Sequence, residues 1–474
     1  MSWDPEVGSL ALSVLQSAYR RGLKPTDVIA AIYDRIAARG EDHVWIHLVP
    51  RDAALAHAQK LEVEDIADGP LWGVPFSVKD CNDVPGLPTT NALPPMAYVA
   101  ETTGPAIQRL LDAGAICIGK TNMDQFGIGL VGVRTPYGAC ASVFSQDYIS
   151  GGSSSGSAVS VAAGLVSFSI GNDAAGSGRV PAAFNNIVGI KPTPGLVSNS
   201  CVSGGGCVKT LETVSVFALT VEDGMAVTRL IAGFDADEPF SKPEADQADL
   251  AAGPPPPSFR FGVPAGAALR FFGDREAERL FKEAVHGLEA MGGAAVPVDF
   301  SVFEETQRLL YDGPWIAERA LTLDPIIARY RQHIHPVTFS ILDSAKSLSG
   351  TDVFRGIHRL AELKRDARPI WQKIDVLIVP TTPTIYRHDE VAAEPIVLNS
   401  NLGIYTNFVN LMGLAGVAVP NGFRADGLPQ GVTFLVPSFQ EGKAARLAAA
   451  FHAQLGGPLG ATETNNAEIQ PPNV

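Results

Sequence analysis

Residues 151–182 read "GGSSSGSAVSVAAGLVSFSIGNDAAGSGRVPA", two glycine-serine loops bracketing a run of small and apolar residues. The pattern predicts a short helix from about Gly156 to Gly164, then a buried strand in "LVSFSIG", then a turn into a second helix. Pro181 suits the first position of that helix, where its missing N–H is not needed and its fixed φ is already helical. Ser153 then sits at a helix N-terminus, and Ser177 sits in a strand-to-helix turn. The N–H groups of Ala174, Ala175, Gly176 and Ser177 converge in such a turn, the geometry that stabilises an oxyanion in acyl transfer. Phosphate binding is the rival. Neither loop carries G-x-x-x-x-G-K-[ST] or a clean G-x-G-x-x-G, and Ser177 lies in A-G-S-G-R rather than G-x-S-x-G. On these residues alone, loops that merely turn the chain remain open.

Outward from this stretch, helix and strand patterns alternate. Residues 8–60 read as helical, with Thr26 as N-cap, Val28, Ile29, Ile32 and Ile36 on one face, and Gly40 as a stop. "GPLWGVPFSVKD" is a loop and strand that delivers Lys79 at the strand's end. "TGPAIQRLLDAGAICIGKTN" is a helix, a turn and a buried strand. Residues 244–258 form a Pro-rich surface excursion, stiff at Pro254–Pro257. The strand "RFGVP" follows, then a helix that turns Ala277, Leu280, Phe281, Ala284, Val285, Leu288 and Met291 inward, then the strand "AAVPVDF". "KIDVLIVP" and "LPQGVTFLV" add strands, and a closing helix ends near Leu455. The expected fold is α/β, a large mixed β-sheet covered by helices on both faces, in one domain over 1–455 with a flexible tail over 456–474.

Charged residues make up 18% of the 474-residue chain, which favours one large core. The net charge of −14 repels phosphate backbones, so nucleic acid is not an expected partner. Five cysteines without a C-x-x-C pair suggest neither a disulfide framework nor zinc. His333 and His335 lack a nearby third ligand, so no metal or other cofactor is expected. The N-terminus has no signal-peptide pattern and no apolar run reaches membrane-spanning length, so a cytoplasmic protein is expected.

With "VKD", "GGSSSGS" and "NDAAGSGRVPA" in that order, and 24 positions between Ser153 and Ser177, the chain resembles the amidase signature family. "KPTPG" after "NNIVGI" and the closing "GLPQGVTFLVPS" extend the likeness from about Leu10 to Leu455. The resemblance implies a Ser–cisSer–Lys triad: Ser177 the nucleophile, Ser153 a proton bridge on a cis peptide, Lys79 the base. A serine hydroxyl is a weak nucleophile until a neighbour takes its proton, and a lysine does so only when neutral. This scheme requires no histidine, and none falls in the glycine-rich region. Asp173 and Arg179 are expected to pair and fix the turn, and Ser154 to assist Lys79 or Ser153.

Within that family, "SVFALT", "YDGPWIAER" and "GIYTNFVNLMGLAGVAVP" resemble the allophanate hydrolase branch. This implies hydrolysis of a C–N bond in a small ureido compound with release of ammonia, Tyr311 and Arg319 binding the substrate carboxylate, and a homodimer. A guanidinium suits a planar carboxylate through two parallel hydrogen bonds. Gly129 is expected to offer its carbonyl to a substrate nitrogen. Asn172 and Ala174 stand where the branch has threonines, Pro194 where it has arginine, and "CVSGGGCVKTLE" is an unusual loop. The branch's separate C-terminal domain does not follow the core. Guanylurea and 1-carboxybiuret are therefore alternative substrates, and the cationic guanylurea would need a carboxylate, for which Asp312 is the candidate. A further alternative is the amidase subunit of a tRNA-dependent amidotransferase.

Overall fold

The computed structural model describes residues 4, 8–63, 69–203, 206–466 and 469. Its spine is an eleven-stranded sheet. In chain order the strands are β1 Trp45–Leu48, β2 Pro75–Lys79, β3 Ile116–Thr121, β4 Phe168–Asn172, β5 Val188–Lys191, β6 Val214–Ala218, β7 Phe259–Pro264, β8 Gly293–Val298, β9 Val376–Pro380, β10 Ala415–Phe423 and β11 Pro429–Val436. Across the sheet the order is β1-β3-β2-β4-β6-β5-β10-β11-β9-β7-β8. Parallel pairing joins β2 to β3 and β4, and β7 to β8 and β9, while the remaining neighbours run antiparallel.

The central strands are apolar on both faces because both faces are covered. In β6, Val214, Val216 and Ala218 enter one core cluster and Phe217 the opposite one, as the two-residue pleat dictates. The first cluster takes Leu447, Ala448 and Phe451 from the helix Glu441–Leu455 and Ala277, Phe281 and Leu288 from Arg275–Ala290. The second takes Val28, Ile29 and Ile32 from Pro25–Arg39 and Ala158 and Val161 from Ser155–Ala162. The strand that follows the Pro-rich excursion, β7, joins this same sheet.

Three local expectations are corrected. Residues 8–60 are not helical throughout, because Trp45–Leu48 forms strand β1. The helix Pro25–Arg39 is capped by Lys24 with Pro25 in its first turn, so Thr26 lies inside it and donates its N–H to Glu62 Oε1. Val285 and Met291 are half-buried and pack inward against the first core cluster, as expected. Residues 456–466 are not loose, because Leu459 is buried in the core and Asn186 Nδ2 donates to the carbonyls of Pro458 and Gly460. Apart from Ile469, the rest of the tail lies outside the described residues. Among the described residues, no helix is long and apolar enough to cross a membrane.

Candidate active site

β2 and β4 are parallel neighbours with Val78 opposite Ile170, so their C-terminal ends emerge side by side. Lys79 ends β2; Asp173 follows β4 and begins the turn that carries Ser177. Between them enters the loop ahead of helix Ser155–Ala162, whose Gly152–Ser153 peptide is cis. Lys79 Nζ donates to Ser153 Oγ at 2.7 Å, both side chains buried. The Ser177 hydroxyl has no hydrogen-bond partner among the described residues, so the structure joins Lys79 to Ser153 by a hydrogen bond but not Ser153 to Ser177. Ser154 departs from its expected role. Its hydroxyl donates to the Asn172 carbonyl at 3.3 Å, tying the loop to the end of β4.

The Ser177 turn is held from inside by one carboxylate. Asp173 accepts the N–H groups of Gly176 and Gly178 at 2.9 and 3.0 Å, and Arg179 Nε and Nη2 at 2.9 and 3.0 Å. Burial by itself would raise the Asp173 pKa, but the Arg179 charge and these hydrogen bonds outweigh it and hold the carboxyl below the usual range. Gly176 has φ +134°, and a Cβ there would lie 2.5 Å from Thr406 Oγ1, so the position admits only glycine. Because the Gly176 N–H is bound to Asp173, it is not a free oxyanion donor, which corrects the sequence expectation. The N–H groups of Ala174, Ala175 and Ser177 make no hydrogen bond among the described residues, which leaves three donors for an incoming oxygen.

Beside this apparatus lies a cavity of about 160 Å³, lined among others by Lys79, Gly127, Cys207, Glu212 and Leu323. That volume is well below the roughly 300–1,000 Å³ of sites for drug-sized ligands, so the cavity suits a compact substrate. Arg319, from helix Trp315–Tyr330, is fully buried with its guanidinium carbon 5.3 Å from the Tyr311 ring centre. Nη1 donates to Cys207 Sγ at 3.3 Å, while Nε, Nη2 and the Tyr311 hydroxyl are buried with no partner. Burial opposes the Arg319 charge, but Tyr311, Cys207 and Glu212 around it prevail and keep it protonated.

Other expected residues fall elsewhere. A Cβ at Gly129 would meet Asp124 and Arg134, and the glycines on the cavity wall are Gly127 and Gly206. Asp312 is exposed, so the carboxyl that faces the cavity is Glu212. His335 Nδ1 accepts the Val337 N–H as a helix cap, and no group of three or more metal-ligating side chains exists among the described residues. All five cysteines are free thiols. Cys207 and Glu212 escaped the sequence reading as individual residues, although both belong to the loop that reading marked as unusual.

The fold and this arrangement are those of an amidase, and residues 27–444 match the Amidase family model. The chain belongs to the amidase signature family. It is 39% identical over 406 residues to urea amidolyase of Saccharomyces cerevisiae, covering 84% of this chain and 22% of that protein. The chain thus spans about a fifth of that relative's length. It is 31% identical over 443 residues to a glutamyl-tRNA(Gln) amidotransferase subunit of Acidobacterium capsulatum, covering 87% of this chain and 91% of that one. Among solved structures, Kluyveromyces lactis allophanate hydrolase superposes with a TM-score of 0.86 at 35% identity, covering 95% of this chain and 73% of that one.

Proposed function

We propose that this protein hydrolyses the amide C–N bond of a small linear ureide bearing a carboxylate, with allophanate the substrate the site fits best. The similarity to a urea amidolyase and an allophanate hydrolase supports this reading. The observation that carries it is the buried trio of unpartnered donors, Arg319 Nε and Nη2 and the Tyr311 hydroxyl. An unmet buried donor costs about 1–3 kcal/mol, more when charged, and a planar carboxylate meets all three at once. Lys79 acts as the base, taking the Ser153 proton as Ser153 takes that of Ser177, and Ser177 Oγ attacks the amide carbon. Negative charge gathers on the carbonyl oxygen beside the N–H groups of Ala174, Ala175 and Ser177. Collapse expels ammonia with the proton returned through Ser153, and water then cleaves the acyl-enzyme by the same relay in reverse. Guanylurea and 1-carboxybiuret are alternatives on the same machinery. A cytoplasmic homodimer working without a cofactor completes the proposal.

Purified protein is to be offered allophanate, biuret, guanylurea, 1-carboxybiuret and simple amides, with released ammonia measured. Ser177→Ala is expected to abolish turnover, and Arg319→Ala to damage allophanate turnover far more than that of a neutral amide. Unchanged allophanate kinetics in Arg319→Ala would refute the carboxylate assignment. A second reading, the amidase subunit of an amidotransferase, draws on the nearly full-length match to a protein of that kind. Ureide hydrolysis by the isolated chain excludes it; glutamine hydrolysis only with a partner protein favours it.

A further inference from the structure

The cavity wall holds one group for which the mechanism above has no use. Glu212 is more than nine-tenths buried, at 8% exposure, and is the only carboxylic side chain lining the cavity among the described residues. Its carboxyl makes no hydrogen bond and no ion pair within 4 Å among those residues. Two strong donors stand nearby: Lys79 on the wall, and the guanidinium of Arg319, whose Nη1 donates to the wall residue Cys207. Room for the carboxyl is made at Gly206, where φ is +82° and a Cβ would lie 2.8 Å from Glu212 Cγ and 3.0 Å from its Oε2.

A carboxylated ureide has two unlike ends. One is an anion that needs donors; the other bears N–H groups that need an acceptor once water is removed. Arg319 and Tyr311 serve the first. We propose that Glu212 is a specificity-determining residue that accepts hydrogen bonds from the N–H groups of the substrate, opposite the donors that hold its carboxylate. This rests on the ureide reading above. The charged and titratable groups around Glu212 are Lys79 and Arg319, which favour its ionised form, Asp173 and Glu318, which oppose it, and the neighbouring thiols of Cys81 and Cys207. Burial outweighs the effect of Lys79 and Arg319 and pushes the carboxyl up to about 7. The acceptor is therefore fully available only above neutrality, and affinity for the ureide falls as pH drops through that value.

The test compares Glu212→Gln, which keeps the shape, and Glu212→Asp, which keeps the acceptor but retracts it. Ammonia release gives KM and kcat from pH 6 to 8.5, and calorimetry on the Ser177→Ala background gives Kd for allophanate and biuret. Glu212→Gln is expected to raise KM and Kd tenfold or more while kcat changes less than threefold, and to erase the rise in KM below about pH 7. Glu212→Asp falls between, with the pH dependence retained. If the Gln variant stays within twofold of wild type, or its KM keeps the same pH inflection, the assignment is overturned. If wild-type protein cleaves simple amides but neither binds nor cleaves any ureide, the ureide reading fails and this assignment with it. Ureide turnover that stands while Glu212→Gln behaves as wild type removes this assignment alone.

Discussion

Replacing Asp173 by alanine attacks the turn that carries Ser177 without touching Lys79, Ser153 or Ser177 themselves. Four donors lose an acceptor: the Gly176 and Gly178 N–H groups, Arg179 Nε, and Arg179 Nη2, which keeps only the Thr406 carbonyl and Asn410 Oδ1. Stranding the buried Arg179 charge costs about 3–5 kcal/mol, and each abandoned N–H about 1–3 kcal/mol. These costs overlap, because water entering the vacated space serves several donors together, so the expected loss is roughly 5 kcal/mol rather than the full total. For a chain of 474 residues the unfolding entropy is on the order of 1 kcal/mol per kelvin, which converts that loss to a fall of about 5 °C in Tm. Turnover is expected to fall further than stability. The Gly176 N–H is released, and the N–H groups of Ala174, Ala175 and Ser177 lose their fixed directions. Losing one aligned oxyanion donor costs about 10²–10³ in kcat. Thermal melting by circular dichroism and ammonia release at 25 °C read the two effects separately. A variant that melts within about 1 °C of wild type with kcat unchanged would show that the Asp173 lattice does not hold the turn.

Gly176→Ala meets Thr406 Oγ1 at 2.5 Å and keeps an unfavourable φ of +134°, so it is expected to cost about 1–3 kcal/mol and most of kcat, read by melting and by ammonia release. Tyr311→Phe deletes a buried, unpartnered hydroxyl. Stability should hold or rise slightly in a melt while KM for allophanate climbs about tenfold, as expected for a hydrogen bond to a charged group. Asp223 is pushed up to about 7 by burial, even though Leu12 N–H donates to it at 3.0 Å. Because its native pKa exceeds the unfolded value of about 3.9, the native state holds the extra proton between those values, and stability falls as pH rises from about 4 to about 7, by about 4 kcal/mol in all. Asp223→Asn should flatten that part of the Tm–pH curve; an unaltered slope refutes the assignment.

The elements bearing Lys79, Ser153 and Ser177 were legible because each is announced by local chemistry: Lys79 closes an apolar run, Ser153 precedes a helix of small residues, and Ser177 lies between a strand and a proline. Strands β1, β5, β6 and β10 were not read as strands. Short apolar runs such as "VGIK" and "VSVFA" have no alternation when both faces are buried, so periodicity is silent there. The role of each N–H in the Ser177 turn was also hidden. Which of them Asp173 captures depends on φ and ψ through the turn, and the letters A-A-G-S allow several assignments. Glu212 was missed for a different reason: it faces Lys79 across a cavity, 133 positions along the chain, and nothing local distinguishes it from a surface glutamate.

Adjacent parallel strands lie about 4.8 Å apart, a spacing set by backbone hydrogen bonds and insensitive to side chains. Since Lys79 and the root of the Ser177 turn ride on two such strands, their separation is inherited from the peptide backbone itself. The proposed ligand contacts come instead from residues off the sheet, Cys207 and Glu212 in one segment and Tyr311 and Arg319 in and just before helix Trp315–Tyr330, which contribute nothing to that spacing. Selectivity is therefore open to redesign by mutagenesis of those residues, with the reactive centre left in register.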